Sequence, residues 1–325
     1  MAIKQALLRI LEENKGEVLS GEALAERLCV SRAAVWKAVK ELQKEGHAIG
    51  AVTNRGYTLE TTSDVLTAEG LLPYLARREV TVVAQPCLAS TNLTAKELAA
   101  AGAPHGSIVA ASQQTAGRGR RGRSFLSPPD TGLYLSVILR SDAPMSDGAL
   151  ITSAAAVAVC RALHRVCGIE DVQIKWVNDL YTHGKKCCGI LTEAAADMET
   201  GGVDYIVVGI GLNLLLPEGG FPPELAEVAT ALFPAGAQVP RCRLAAEIVN
   251  ELLRLGDALP DHSFLEEYRA RNLVLGRDIT IVQNGTQRPA HALSITDAGH
   301  LLVRLPDGRS EELSYGEISV RLQAL

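Results

Sequence analysis

Residues 113–125 read "QQTAGRGRRGRSF", and four arginines with three glycines fill the seven consecutive positions 117–123. Gly117, Gly119 and Gly122 disfavour a stable helix and let backbone N–H groups turn toward a ligand. Arg118, Arg120, Arg121 and Arg123 present planar forks that match carboxylate and phosphate oxygens. The combination suits an anion carrying either group, or both. It is not a Walker A loop, because no Gly-Lys-Ser/Thr ending follows. A mobile basic loop lying on nucleic acid is the other reading such a composition allows.

Three further stretches carry polar groups at the ends of apolar runs. Ser90-Thr91-Asn92 stands where a strand pattern gives way to a helix pattern, so its side chains can face a ligand or simply cap the helix. In "IKWVNDLY" (174–181) Lys175 interrupts an apolar strand, and Asn178 and Asp179 stand at its exit. A strand lysine is edge-exposed, or buried with an anionic partner. "CCGILTE" and "VVGIGLNL" end near Glu193 and Asn213, in stretches that a plain core strand with turn residues would also produce.

Three segments must hold these residues. In the first, to about residue 62, Ile3, Ala6, Leu7, Ile10 and Leu11 follow one helix face. Ser20 and Ser31 are placed to cap a second and a third helix, the latter carrying Val35, Ala38, Val39 and Leu42 on one side and ending at Gly46. "HAIGAV" and "GYTLE", joined through "TNRG", predict a hairpin, and the order is that of a winged helix-turn-helix. Residues 63–272 alternate strand and helix patterns: 80–85, 106–112, 132–139, 172–177, 189–195 and 204–214 predict strands. Helices are predicted from near Ser90, over 147–166, and around 241–258 and 261–271. Residues 273–325 change to short strands (277–283, 288–295, 301–305, 317–322) separated by Asn-Gly, Asp-Ala-Gly and Pro-Asp-Gly turns, a small β-barrel or sandwich.

The chain has 325 residues, enough for two or three cores. A net charge of −5 gives no bulk attraction to nucleic acid, although a local basic patch can hide in that average. Seven cysteines without a CxxC, including the adjacent Cys187 and Cys188, predict reduced thiols in a cytoplasmic protein rather than a disulfide framework or zinc site. No signal peptide and no uninterrupted apolar run of about 18 residues is expected, hence no membrane partner.

In this order and spacing, Ser90-Thr91-Asn92, Gln114 with "GRGRRGR", Lys175-Trp176-x-Asn178-Asp179, Gly209-x-Gly211-x-Asn213 and the C-terminal "GEISVRL" resemble the biotin–protein ligases. The resemblance is to the bifunctional group that doubles as the biotin operon repressor, and it spans nearly the whole chain. Two positions depart from the family pattern: Val177 replaces a usual proline, and Phe125 stands where a tryptophan is common. The resemblance implies a multidomain α+β fold. Its parts are a winged helix-turn-helix (1–62), a catalytic class II synthetase-like mixed sheet packed with helices (63–272), and an SH3-like β-barrel (273–325).

It further implies that biotin and ATP form biotinyl-5′-adenylate and pyrophosphate, and that a lysine of a biotin carboxyl carrier protein then takes the biotinyl group and releases AMP. Ser90, Thr91, Asn92 and Gln114 would line the biotin slot, with Gly119 of the loop assisting. Arg118, Arg120 and Lys175 would meet the carboxylate and phosphates. Arg121 and Asn213 would lie by the nucleotide, and Asp179 would position or deprotonate the acceptor amine. Mg²⁺ is expected with ATP, its ligands unassigned. Ser31, Arg32, Lys37 and Lys40 of the third helix and Arg55 of the wing would contact operator DNA as a ligand-promoted homodimer. The first 60 residues hold nine Lys/Arg against eight Asp/Glu, so this is a local face rather than a basic domain. Trp36 is expected to pack under the wing. A non-catalytic biotin-sensing transcription factor and a lipoyl or octanoyl ligase are the alternatives.

Overall fold

The computed structural model describes residues 3–52, 55–140, 148–196, 202–283, 285–314 and 317–320. Several expected features fall outside them: Thr53 and Asn54 of the wing turn, residue 147 at a helix start, Asn284 of the Asn-Gly turn, Gly316, and the 321–322 end of the last strand.

Three helices open the chain: α1 (Ile3–Glu13), α2 (Gly21–Leu28) and α3 (Arg32–Lys44). The Ser20 hydroxyl accepts from Ala23 N at 3.0 Å and Ser31 from Ala34 N at 3.2 Å, so both serines cap as the sequence predicts. Strands β1 (Ile49–Val52) and β2 (Gly56–Leu59) form the wing. Leu7, Leu11, Leu24, Val35, Val39, Leu42 and Leu59 close the core beneath them. Trp36 corrects the sequence reading. It is 55% exposed, because a helix turns 100° per residue and the inward phase is already taken by Val35, Ala38, Val39 and Leu42. The wing's own Tyr57, bridged to Leu19, packs against the core instead.

A short connector ties this domain to the next. Lys15 donates from Nζ to Ser63 O at 2.6 Å, and Asp64 Oδ1 accepts from Cys242 N at 3.3 Å. Helix α4 (Ala68–Leu71), capped by Thr67, follows.

The central sheet contains β3 (Val82–Leu88), β4 (Ile108–Gln114), β5 (Gly132–Leu139), β6 (Gln173–Lys175), β7 (Asp179–Thr182), β8 (Lys185–Ala196) and β9 (Val203–Asn213). Its order is β3-β4-β5-β9-β8-β7-β6; β3 and β4 are parallel and all other neighbours antiparallel. Helix α5 (Thr91–Ala100) covers one face through Ala95 and Ala99 on Val109, Ile138 and Val207. Residues of opposite parity, such as Ile108, Val137 and Val208, join the cluster with α6 (Gly148–Cys167), α8 (Arg241–Asp257) and α9 (Phe264–Ala270). The short α7 (Pro223–Ala226) lies between β9 and α8 in the chain. Over Leu150–Cys167, α6 is long and apolar enough to cross a membrane by length and composition, at a mean hydropathy of 1.4, but 72% of that stretch is buried inside the protein. It is a core helix.

The strand expected over 172–177 is shorter than the pattern suggests. Lys175 pairs with Asp179, so Trp176, Val177 and Asn178 form the turn of a hairpin, and the Trp176–Val177 peptide is cis. The C-terminal strands β10 (Asp278–Gln283), β11 (Thr286–Ile295), β12 (Leu301–Arg304), β13 (Ser310–Leu313) and β14 (Glu317–Val320) run antiparallel in the order β13-β12-β11-β10-β14. Ile281, Ala292, Leu301 and Val303 belong to the same buried cluster as the central sheet. Trp176 Nε1 donates to Gly299 O at 3.0 Å, fastening the β6–β7 turn to this unit.

Candidate active site

The arginine-glycine segment is a hairpin, not a loose loop. Gly119 N donates to Arg123 O at 2.7 Å, Phe125 N donates to Gly117 O at 2.9 Å, and Arg118 bridges Ser124. Its tip is a three-residue 3₁₀ turn, Arg120–Gly122, in which Arg121 (φ 56°) and Gly122 (φ 73°) are both left-handed. Arg118, Arg120, Arg121 and Arg123 all line one cavity.

Strands β8 and β9 line the cavity with Gly189, Gly209 and Gly211 among Ile190, Leu191 and Ile210. Gly189 of β8 pairs with Gly211 of β9, and Leu191 pairs with Gly209. A Cβ on Gly209 would lie 2.0 Å from Asn92 Oδ1, and one on Gly211 would lie 2.7 Å from the Phe125 ring. Both glycines are therefore required by what lies directly on top of them. Phe125 meets Tyr134 edge to face, with ring centroids 6.4 Å apart. Burial pushes the Tyr134 phenol up to about 12, so it stays neutral.

Strand β3 delivers Ser90-Thr91-Asn92 to the cavity, where all three are buried. Ser90 takes the N-cap position of α5, yet its side chain makes no capping bond; helix capping is not what this serine does. Gln114 Oε1 accepts from Thr91 N at 2.9 Å and from Thr91 Oγ1 at 3.1 Å, while its Nε2 donates to Ser127 Oγ at 3.0 Å. The Gln114 amide is thus held from both ends. Asn92 is engaged inside the protein: its Nδ2 donates to Glu193 Oε2 at 2.8 Å and to Leu191 O at 3.3 Å, and its Oδ1 accepts from Ser136 Oγ at 2.7 Å. Burial acts to raise Glu193, but hydrogen bonds from Lys96 and Asn92 outweigh it and hold the carboxylate below its usual range.

The opposite wall comes from the β6–β7 turn. Arg120 Nη1 donates to Asn178 Oδ1 at 2.9 Å, Asn178 Nδ2 donates to Asp179 Oδ1 at 3.1 Å, and Lys186 Nζ lies 2.7 Å from the same Asp179 oxygen. Arg120, Asn178, Asp179 and Lys186 form one connected line along the cavity.

Most predicted residues therefore converge: Ser90, Thr91, Asn92, Gln114, Arg118, Gly119, Arg120, Arg121 and Asp179 all line the cavity. Two do not. Lys175 lies outside the lining, its Nζ 5.4 Å from the centroid of the Tyr181 ring and 3.5 Å from its hydroxyl. Asn213 also lies outside; its Nδ2 donates to Thr230 O at 3.1 Å and its carbonyl accepts from Leu232 N at 3.1 Å, which ties the 230–232 segment to the end of β9. The lysine in the wall is Lys186, which the sequence reading passed over. The signal available was its position three residues before Gly189 of the lining.

In the first domain, Ser31, Arg32, Lys37, Lys40 and Arg55 are all exposed. The Ser31 hydroxyl is occupied as the α3 cap, and Lys40 Nζ donates to Gln43 Oε1 at 3.1 Å.

The chain is similar to known proteins over nearly its whole length. The biotin/lipoate A/B protein ligase family matches residues 84–213, and an HTH domain matches residues 4–58. The chain is 37% identical over 314 residues to the bifunctional ligase/repressor BirA of Bacillus spizizenii, covering 94% of this chain and 95% of that one. It is 30% identical over 309 residues to BirA of Escherichia coli, with 94% of each chain covered. A biotin protein ligase from Aquifex aeolicus, solved in complex with biotin and ATP, has a TM-score of 0.61 to this structure over 74% of this chain and 98% of that one; at 23% identity the likeness is one of fold. A helix-turn-helix domain joined to a cavity lined by glycines and arginines, with relatives along almost the whole chain, places this protein in the biotin/lipoate A/B protein ligase family, alongside its bifunctional ligase/repressors.

Proposed function

We propose that this chain activates biotin with ATP to biotinyl-5′-adenylate, transfers the biotinyl group to a lysine of a biotin carboxyl carrier acceptor, and represses transcription in response to biotin. The observation that carries this reading is that the arginine hairpin shares one cavity with Ser90, Thr91, Gln114 and the strand glycines Gly189, Gly209 and Gly211. A flat, uncharged ring system would lie among Phe125, Leu191 and the strand glycines, with its acidic tail directed toward the arginines of the hairpin.

Both reactants of the first step are anions, so the difficulty is charge and alignment. Ser90, Thr91 and Gln114 would hydrogen-bond the ureido group, and Asn92 would hold that wall in place. Arg118, Arg120, Arg121 and the Gly119 N–H would gather carboxylate and phosphate oxygens. One carboxylate oxygen of biotin attacks the α-phosphorus, the bond from that phosphorus to the α,β-bridging oxygen breaks, and pyrophosphate departs carrying that oxygen and its electron pair. Lys186, with Arg120, would stabilise the charge on that phosphate. In the second step the acceptor amine attacks the acyl carbon, its proton leaves, and AMP departs; Asp179 is the group we assign to orient that amine. We assign Lys175 and Asn213 to supporting the turn and the nucleotide-side segment rather than to direct contact.

Mg²⁺ is expected with ATP, and its ligands are assigned to the triphosphate. Among the described residues no three His, Cys, Asp or Glu side chains cluster, and Asp179 of the cavity wall is paired with Lys186. Any magnesium would arrive on the triphosphate. We further propose domain limits at 1–62, 63–272 and 273–325, a class II synthetase-like catalytic sheet, an SH3-like terminal barrel, a cytoplasmic location and a ligand-promoted homodimer. Operator contacts are assigned to Arg32, Lys37, Lys40 and Arg55, with Ser31 at the helix start. Seven free thiols among the described residues, four of them buried, support a reducing compartment.

The test is pyrophosphate release from ATP with biotin present and absent, followed by biotin incorporation into a carrier domain. Biotin-dependent release supports the reading. No release, or equal release with lipoate or octanoate, would overturn it.

A further inference from the structure

The outer side of α3 carries an aromatic side chain that the domain core does not use. Trp36 is 55% exposed, whereas Val35, Ala38, Val39 and Leu42 of the same helix are all buried. Leaving an indole in water forgoes the burial of one of the largest apolar surfaces a residue offers. Its neighbours indicate what covers it. Arg32, Trp36 and Lys40 are spaced by four and stack along one side of the helix, and Ala33 and Lys37 lie next to them, all exposed. No acidic residue occurs from Ser31 to Lys40. The indole and the Ala33 methyl thus form an apolar stripe inside a cationic frame, which complements a polyanion that also presents apolar groups.

Duplex DNA is such a surface. Phosphates line the edges of the major groove, and thymine places a C5-methyl in its floor. Trp36 is the fifth residue of a helix whose N-terminal end is free and capped by Ser31, and in helix-turn-helix domains it is this part of the recognition helix that reaches base edges. We infer that Trp36 reads sequence: its indole packs on a thymine C5-methyl of the operator, while Arg32, Lys37 and Lys40 hold the flanking phosphates. This rests on the repressor reading above and adds to it the residue and the base group that supply specificity.

The experiment uses the full chain with biotin and ATP. A duplex is first enriched from a random pool. Affinities are then measured for the wild type, Trp36→Ala and Val18→Ala on that duplex, on a scrambled duplex, and on copies in which each thymine in turn is replaced by uracil. Val18 serves as a control because it is 45% exposed but lies off α3. Trp36→Ala is expected to weaken the enriched duplex about 10- to 100-fold, with scrambled-duplex affinity and the salt slope unchanged. At least one uracil replacement should weaken the wild type yet have no further effect on Trp36→Ala, the signature of a direct contact. Val18→Ala should behave as wild type.

Equal weakening on enriched and scrambled duplexes would make Trp36 a general surface contact and overturn the inference. So would a self-association change in Trp36→Ala seen by sedimentation. A uracil series that leaves the wild type unaffected overturns it without reference to any variant. If the wild type enriches no sequence at all, the repressor reading fails and takes this one with it. Enrichment with an unaffected Trp36→Ala sinks only the present inference.

Discussion

Lys186 Nζ lies 2.7 Å from Asp179 Oδ1, across the start of strands β8 and β7. The pair holds an ammonium group at the cavity that the four arginines help to line, within the line that begins at Arg120. We expect Lys186→Ala to lower biotin-dependent pyrophosphate release by about 100-fold or more, the scale for removing one preorganised cation from a developing charge. Lys175→Ala should cost clearly less, since its ammonium faces the Tyr181 ring. Asp179→Ala should slow adenylation as well as transfer, because its partner is Lys186. Normal pyrophosphate release in Asp179→Ala would confine that carboxylate to the acceptor step.

The contact between Arg120 and Asn178, 2.9 Å long, joins the hairpin tip to the β6–β7 turn and closes one side of the cavity. We propose that this contact would retain a ligand formed inside more than it would assist its formation. Arg120→Gly should therefore speed release of preformed biotinyl-adenylate more than it slows its formation, and Asn178→Ala should reproduce part of the effect with the arginine still present. Timing the escape of labelled adenylate measures both. Unchanged release in Arg120→Gly would remove the residue from a retaining role.

Glu193 gives a pH-dependent prediction. Lys96 and Asn92 hold its carboxyl below the usual value of 4.5 despite burial. A depressed carboxyl stabilises the fold fully above its unfolded value and loses that contribution as pH falls through the folded one. The melting-temperature gap between wild type and Glu193→Gln should thus be widest above pH 4.5 and shrink below it. Since the same carboxylate fixes the Asn92 amide, Glu193→Gln should also raise KM for biotin more than it lowers kcat. A gap that is constant across the acid range would mean that the charge is not what Glu193 contributes.

The parts of the site that could be read from the amino-acid order are those where chemistry and backbone need coincide. Arginines alternating with glycines, Ser90-Thr91 at a strand end, and Gly209-x-Gly211 in an apolar run each combine an unusual side chain with an unusual backbone demand. Lys186 lacked such a mark. Lysines at strand starts are ordinary, and the register that brings this one to the cavity depends on a pairing shift between Leu180 and Tyr181 that no periodicity announces. Strands β7 and β13, four residues each and partly polar, were too short to rise above turn composition. Trp36 is an indole that residue type alone assigns to the core, whereas its phase on α3 relative to the buried Val35 points outward.

The strand glycines give the strictest geometric prediction. A methyl on Gly209 would fall 2.0 Å from Asn92 Oδ1, a buried atom held by Ser136, so the helix start carrying Ser90 and Thr91 must move. Overpacking of this kind costs about 1–3 kcal/mol. Gly209→Ala should both lower the melting temperature and abolish measurable biotin binding. Gly211→Ala differs, because its obstacle is the Phe125 ring at 2.7 Å, a side chain rather than a held polar wall. Phe125→Ala should therefore restore much of the biotin affinity lost in Gly211→Ala and none of that lost in Gly209→Ala. Calorimetric titration of biotin into the four variants decides it: equal rescue of both glycine substitutions, or of neither, would show that the two glycines do not answer to separate neighbours.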